Sequence, residues 1–262
     1  VKTAIIMTVH VLQNYGTHSA EWYLKPYCKK IWKEDGYIMD NNLRTVIENR
    51  IMKTIKNLEK NNMQAFYVKS KADVTAKIAE LMKEGDTVAV GGSMTLFECG
   101  VIDLLRSGKY NFLDRYRKDL SRDEIEKIYR DSFSADTYIC SSNAVTENGE
   151  LYNVDGNSNR VAAICFGPKS VIIVAGYNKI VENIDDAVKR VKKTAAPANT
   201  VRLSCKTYCS EKGECVSLQK AEAGMADGCG STSRICCSYV VSAYQRVKGR
   251  IKVILVGEEL GY

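Results

Sequence analysis

The side chains able to do chemistry in this sequence fall into three groups. The first lies between two apolar runs, 137–141 and 171–175, where Ser141, Ser142, Asn143, Thr146, Glu147, Asn148, Asp155, Asn159 and Arg160 crowd together and Lys179 follows the second run. So many hydrogen-bonding groups between two buried strands read as one wall of a site, because strand ends are where α/β proteins bind ligands. The second group is Gly91-Gly92-Ser93-Met94-Thr95, directly after another apolar run. Two glycines and two hydroxyls opening a helix expose backbone N–H groups that suit a phosphate, a carboxylate or another anion, and Glu98, one turn on, is expected to face the same pocket. The third group is thiols. Six of the ten cysteines, Cys205, Cys209, Cys215, Cys229, Cys236 and Cys237, follow the spacing C-x3-C-x5-C-x13-C-x6-C-C.

Thiols grouped this way in a reducing compartment bind metal more often than they form disulfides. With no histidine nearby, a zinc site would be all-cysteine, and an iron–sulfur cluster held by four thiolates suits the same residues; redox-active thiols are the third reading. Cys99, Cys140 and Cys165 lie singly and read as buried structural cysteines. The only histidines are His10 and His18, so acid–base work in the main body falls to carboxylates, Lys, Tyr, Cys or a metal centre. No flavin or nicotinamide motif is seen.

These groups must be positioned by a regular scaffold. Leu43, Val46, Ile47, Ile51, Ile55 and Leu58 recur at helical spacing, which predicts an amphipathic helix over 42–60. Short strands are predicted at 66–68, 87–90, 111–113, 137–141, 171–175 and 251–256. Helices are predicted from the Ser70/Asp73 and Ser121/Glu124 capping patterns, from Gly92 to about 106, at 160–165, and from an Asn183 cap to Pro197. Strand and helix alternate, so the fold class is α/β with a mostly parallel sheet covered on both faces. The segment 204–238, rich in Gly, Ser and Lys, shows neither period and reads as a cysteine-rich module without a core of its own. Residues 1–40 differ in texture and read as an N-terminal extension to a domain over 41–262.

The chain has 262 residues, is 45% hydrophobic and carries a formal charge of +7. The positive charge is spread along helical patterns, densest at 189–193, without the basic stripe and interleaved aromatics of a nucleic-acid binder. No apolar run reaches the roughly 18 residues that a membrane helix needs, and neither a nucleic-acid nor a membrane partner is expected. The setting expected is cytoplasmic.

The strings VGGSMTLFECG, YNFLDRY, SADTYICSSNAVTENGELYNVDGNSNRVA, GPKSVIIVAGYNKIV, AAPAN, CKTYC, RICC and KGRIKVILVGEELGY resemble the LUD-domain family of lactate-utilisation proteins over about residues 40–262. The resemblance implies a Rossmann-like fold of the sugar-phosphate isomerase, deaminase and CoA-transferase type with a C-terminal cysteine-rich insertion. It also implies a bacterial setting, and a role in oxidising L-lactate to pyruvate beside iron–sulfur partner proteins, with self-association expected. Carried over by position, Gly91, Gly92 and Ser93 would form the anion loop. Thr146, Glu147 and Gly149 would form an acidic loop facing it, and Asn159 and Arg160 would complete the pocket. In this picture Arg160 or Lys179 holds a substrate carboxylate and Glu147 positions or deprotonates the hydroxyl. Thr146-Glu147-Asn148-Gly149 also resembles the loop of CoA-transferases whose glutamate attacks an acyl-CoA, so the alternative is an acyl-processing enzyme with Glu147 as nucleophile. A third reading is a non-enzymatic assembly module stabilised by metal. The cysteine-rich members of the family have their third and fourth cysteines closer together; here residues 216–228 intervene.

Overall fold

The structure, a computed structural model, describes residues 40–262, so the reading of 1–40 as an extension lies almost wholly outside the described residues. The chain divides into two units, Val1–Val46 and Ile47–Tyr262, and apart from the first turns of one helix everything below lies in the second. Six strands, β1 (Gln64–Val68), β2 (Thr87–Val90), β3 (Asn111–Phe112), β4 (Thr137–Cys140), β7 (Ser170–Gly176) and β10 (Ile251–Val256), form a sheet in the order β1-β10-β7-β4-β2-β3. Every neighbouring pair in it is parallel. The α/β class with a parallel sheet is therefore as the alternation of elements requires.

Alternation within the strands explains why this sheet is buried on both sides. On one face Val171, Ile173, Ala175, Val253 and Leu255 pack with Ile51, Ile55 and Leu58 of the helix Asn41–Lys60 and with Ala163 and Ile164 of the helix Asn159–Cys165. On the other, Ile172, Val174, Ile254 and Val256 pack with Val74 and Ile78 of the helix Val74–Glu80, with Leu96, and with Val101, Ile102 and Leu105. Near-continuous apolar runs are what a sheet covered on both faces requires. At the start of the helix Arg122–Asp131 the capping box is complete: Glu124 N–H donates to Ser121 Oγ (3.3 Å) and Ser121 N–H to the Glu124 carboxylate (2.7 Å).

Four departures from the sequence reading matter for the site. The polar segment after β4 is a second sheet, not a loop: β5 (Ala144–Thr146), β6 (Leu151–Asp155), β8 (Ile180–Val181) and β9 (Ser238–Ser242) pair in the order β8-β5-β6-β9. Its strands are short and carry polar residues among the apolar ones, which hides the period. The helix after Gly92 breaks at Gly100, whose backbone is left-handed (φ 68°), giving two five-residue helices, Met94–Glu98 and Val101–Leu105. Pro197 does not close the helix that Asn183 caps. After Ile184–Arg190 the chain widens into a π turn, Val191–Ala195, and continues as Ala196–Arg202, with the proline in the first turn of that last segment, where a missing N–H is tolerated. Finally, Cys99 and Cys140 are buried as expected, but Cys165 is exposed, because it ends its helix beside the exposed Phe166.

The cysteine-rich segment does share a core. It contains the helix Tyr208–Lys212, a 3-10 turn at Val216–Gln219 and, just beyond it, β9. Cys236 and Tyr239 pack on a third cluster made by Ala144, Tyr152 and Val154 of the second sheet with Ala187, Val191 and Ala196. The opposite face of that sheet, Val145 and Leu151, belongs to the same core as Ile51 and Leu58. The hairpin between β5 and β6 thereby rests on the helix Asn41–Lys60. Its tip is pinned by Asn57 Nδ2 donating to Glu147 O (2.7 Å) and Asn61 Nδ2 to the carbonyls of Asn148 and Gly149 (3.0 Å each).

Gly149 is required there twice over. Its φ is +86°, and a Cβ would stand 2.6 Å from the backbone of Asn57 and Leu58. The left-handed φ alone costs an alanine about 1–2 kcal/mol and the backbone contact adds to it, so Gly149→Ala is expected to lower the thermal midpoint by roughly 4 °C or more, read by circular dichroism. An unchanged midpoint would mean that the hairpin tip is free to lift from the helix.

Candidate functional site

A cleft of about 360 Å³ opens at the carboxyl ends of the parallel strands. Its floor is the chain leaving β2 (Gly92, Ser93, Met94), the chain leaving β4 (Ser141, Ser142, Asn143) and Lys179 beyond β7. From β2 the chain moves to the β3 edge, and from β4 it moves the other way through β7 and β10, so the cleft lies where the strand order reverses. That point in an open α/β sheet leaves a crevice for ligands. The remaining walls come from β6 and its turn (Val154, Asp155, Gly156), from Asn159 and Arg160, and from Arg115, Tyr129, Asn199, Arg202, Cys236 and Tyr262.

Lys179 is the chemically distinctive group. It is 2% exposed, and its Nζ donates to Thr95 Oγ1 (3.0 Å) and Ser141 Oγ (2.9 Å), which leaves a third N–H for the cleft that it lines. Burial, with Arg190 and Arg160 nearby, pulls its pKa down from 10.5 to about 7. Two hydroxyls on the same cleft, Ser93 Oγ and Tyr262 Oη, are buried and have no hydrogen-bond partner among the described residues. A buried polar group without a partner is costly and rare, and these two converge with Lys179 on one space.

Arg160 lines the cleft but has no free fork. Nη1 donates to Ser141 O (3.1 Å) and Asn153 Oδ1 (2.6 Å), Nη2 to Asn143 Oδ1 (2.9 Å) and Val154 O (2.7 Å), and Nε faces Asp155 at 3.6 Å. Its role is to hold the wall. The guanidinium stem fills the space beside Gly91, where a Cβ would be 3.0 Å from Arg160 Cδ and 2.9 Å from Cys140 Cβ. Asp155, the one Asp or Glu on the cleft among the described residues, accepts from the N–H groups of Asn157, Arg160 and Val161 and so starts the helix Asn159–Cys165. Against it stand Arg115, Arg160, Lys179 and Arg202, so the cleft is cationic. Arg115 is held by Tyr129, whose hydroxyl accepts from Nη2 (2.6 Å) and whose ring lies 4.4 Å from the guanidinium carbon.

Of the residues singled out from sequence, the cleft brings together Gly92, Ser93, Ser141, Ser142, Asn143, Asp155, Asn159, Arg160 and Lys179. Gly91 and Thr95 lie behind it, one making room for Arg160 and the other holding Lys179. The helix after Ser93 is too short to supply much macrodipole, so the positive character comes from side chains. Glu98 is not on the cleft; its carboxylate accepts from Gly261 N–H (2.8 Å). Thr146, Glu147, Asn148 and Gly149 are on the hairpin tip, away from the cleft lining. There Thr146 Oγ1 donates to Glu150, and Glu147 pairs with Lys53 (2.7 Å) and Arg50, which hold its carboxyl below the usual range. Arg115, Arg202 and Tyr262 were not found from sequence. Arg202 lies beyond Pro197, where the sequence pattern ends the helix.

The cysteine module meets the cleft along one wall. A second, smaller cavity is lined by Cys209, Cys215, Cys229 and Cys236 together with Tyr152, Val191, Ala196, Ile235 and Tyr239, and Val191, Ala196, Ile235 and Cys236 line the cleft as well. All four thiols are free. Burial first, and then the neighbouring Cys209 and Cys215, push the Cys236 thiol up to about 12. Among the described residues no set of three or more His, Cys, Asp or Glu side chains is disposed to hold a metal ion.

Fold and site together define an α/β protein with a cationic, hydroxyl-lined cleft at the carboxyl ends of a parallel sheet. The chain belongs to the LUD-domain family, whose model matches residues 51–256. Among solved structures it is similar to a DUF162 family protein from Deinococcus radiodurans, at 18% identity over 81% of this chain and 98% of that one, with a TM-score of 0.41. It also matches eIF2B delta from Chaetomium thermophilum, at 20% identity over 42% of this chain and 48% of that one (TM-score 0.28). A further match is a chain of the tetrameric eIF2B-beta2-delta2 complex from the same organism, at 20% identity and 42% of each chain (TM-score 0.30). No curated protein matches. Among the described residues no helix is long and apolar enough to cross a membrane.

The lowered pKa of Lys179 makes a signed expectation. Between about pH 7 and 10.5 the unfolded chain binds the lysine proton and the folded chain releases it, so this group's contribution to stability rises with pH across that window and its full burial penalty is felt below it. Lys179→Met should therefore melt highest relative to the unaltered protein near pH 6–7 and lose that relative gain by pH 10, measured by thermal melts in a buffer free of small carboxylates and phosphate. A difference that does not change with pH would show that Lys179 titrates normally.

Proposed function

We propose that this LUD-domain protein is a component of L-lactate oxidation to pyruvate, holding a small carboxylate in the cleft and carrying an iron–sulfur centre in its cysteine module. The observation that carries the first part is the convergence of the buried Lys179 with two unpartnered hydroxyls, Ser93 and Tyr262, in a space flanked by Arg115 and Arg202. Membership of a family associated with lactate utilisation supports the substrate class.

In this reading the guanidinium groups of Arg115 and Arg202 take the carboxylate and the two hydroxyls hold the 2-hydroxyl. Lys179, poised near neutrality, exchanges a proton with that hydroxyl. Arg160 positions rather than binds, since its N–H groups are spent. Glu147, ion-paired on the hairpin tip, is not assigned a part in the proton transfer. The two-electron acceptor that the oxidation requires comes from a partner, and association with iron–sulfur proteins or with further copies of this chain belongs to the same proposal. An iron–sulfur centre in the module would supply one-electron transfer.

The test is calorimetric titration with L-lactate, pyruvate and inorganic phosphate. L-Lactate or pyruvate should bind in preference to phosphate. The affinity should fall about 10- to 100-fold in Lys179→Met and in Arg202→Gln, the range for losing one hydrogen bond to a charged group. Phosphate binding alone, or binding indifferent to both substitutions, would remove the lactate reading.

A further inference from the structure

The fold sorts the six clustered cysteines into four and two. Cys209, Cys215, Cys229 and Cys236 surround one cavity. Cys205 and Cys237 do not line it; their thiols turn to the carbonyls of Leu203 (3.9 Å) and Arg234 (3.4 Å), and Cys237 is exposed. Adjacent in sequence, Cys236 and Cys237 are thus divided by the entry into β9, where successive side chains point to opposite sides.

We infer that Cys209, Cys215, Cys229 and Cys236 are the four ligands of a polynuclear iron–sulfur cluster and that Cys205 and Cys237 take no part in it. The inference rests on the reading of the module as an iron–sulfur carrier and says which residues do the carrying. A single tetrahedral ion needs its sulfurs within about 2.3 Å of one point. No such set exists among the described residues, although four cysteines line one cavity. A cluster distributes its four thiolates over several irons, and so accepts sulfurs standing further apart. The walls are of the kind that tunes such a centre: Tyr152, Val191 and Ile235 keep water away, while hydroxyls stand beside two of the sulfurs. Thr207 Oγ1 is 3.3 Å from Cys209 Sγ and Ser217 Oγ is 3.3 Å from Cys215 Sγ, each able to donate to a thiolate.

Arg234 organises the other side. Its guanidinium donates to the carbonyls of Ala226 (2.8 Å), Cys229 (3.1 Å) and Cys236 (2.7 Å), and so ties the long insertion between the third and fourth cysteines back onto the site. That insertion therefore does not separate the ligands in space. The cavity as it stands is small, about 20 Å³, so loading must part its walls. Cys236 lines the cleft as well as the cavity, which sets the cluster one side chain from the ligand site.

The experiment is anaerobic reconstitution of the full chain with ferrous iron and sulfide, followed by iron and acid-labile sulfide analysis and visible spectra before and after dithionite. Cysteine labelling with iodoacetamide, mapped by mass spectrometry, accompanies it. Iron and sulfide in equal amounts with a bleachable visible band are expected. Serine at 209, 215, 229 or 236 should lower bound iron at least fivefold, whereas Cys205→Ser and Cys237→Ser retain it. In the unaltered protein, loading should protect the four thiols from alkylation and leave Cys205 and Cys237 reactive, a readout that does not depend on any variant folding. A cluster lost in Cys205→Ser or Cys237→Ser, or protection of Cys237, would overturn this ligand set while leaving the carrier reading standing. Zinc or iron without sulfide, or no metal at all, would overturn both.

Discussion

The structure turns on the guanidinium of Arg160. Its four terminal N–H bonds go to Ser141 and Asn143 at the end of the parallel sheet and to Asn153 and Val154 of the second sheet, so one largely buried cation stitches the two sheets together at their common edge. A buried charge is tolerable only when its hydrogen bonds are complete, and here the surrounding carbonyls and amides are arranged to complete them. Gly91 follows from the same constraint, since any side chain there would occupy the arginine's space. The cleft is the volume left open when these pieces have been brought together.

What remains chemically available in that cleft is what Arg160 does not consume. Lys179 is kept nearly dry between Thr95 and Ser141, and Arg190 and Arg160 act on it in the same direction as burial, so the proton is held weakly. An incoming anion would reverse that balance: its charge favours the ammonium form, and its oxygens answer the hydroxyls of Ser93 and Tyr262. Ser93 and Tyr262 thus bring buried hydroxyls without partners among the described residues beside a lysine whose proton burial loosens.

The second sheet links this cleft to the thiols. One of its faces joins the main core, and the other, through Tyr152 and Val154, supports the π turn at Val191–Ala195 and the segment carrying Cys236. The widened turn brings Val191 and Ala196 to the partition between cleft and thiol cavity, so a local irregularity of one helix shapes both sites. The hairpin that begins this sheet is anchored at its other end by Gly149 and Glu147 on the first helix. Its Glu-Asn-Gly string serves geometry and ion pairing at a distance from the cleft.

Much of the scaffold was legible before any coordinates. The parallel sheet followed from apolar runs alternating with amphipathic stretches, and the caps at Ser121 and Asn183 followed from side chains that must satisfy the first N–H groups of their helices. Part of the site followed too, because Gly92, Ser93, Ser141, Ser142, Asn143, Asp155, Asn159, Arg160 and Lys179 lie at or just past strand ends. The second sheet did not, since strands of two to five residues are too short to show a period. Nor could spacing say that Glu147 faces Lys53 instead of the loop at residues 91–93, that Arg115 and Arg202 arrive from distant segments, or that Cys236 and Cys237 part company. Local sequence dictates which backbone a segment adopts, because hydrogen-bond and burial periods are local properties. Which charges meet across a cleft is set by long-range packing, and that only the tertiary structure decided.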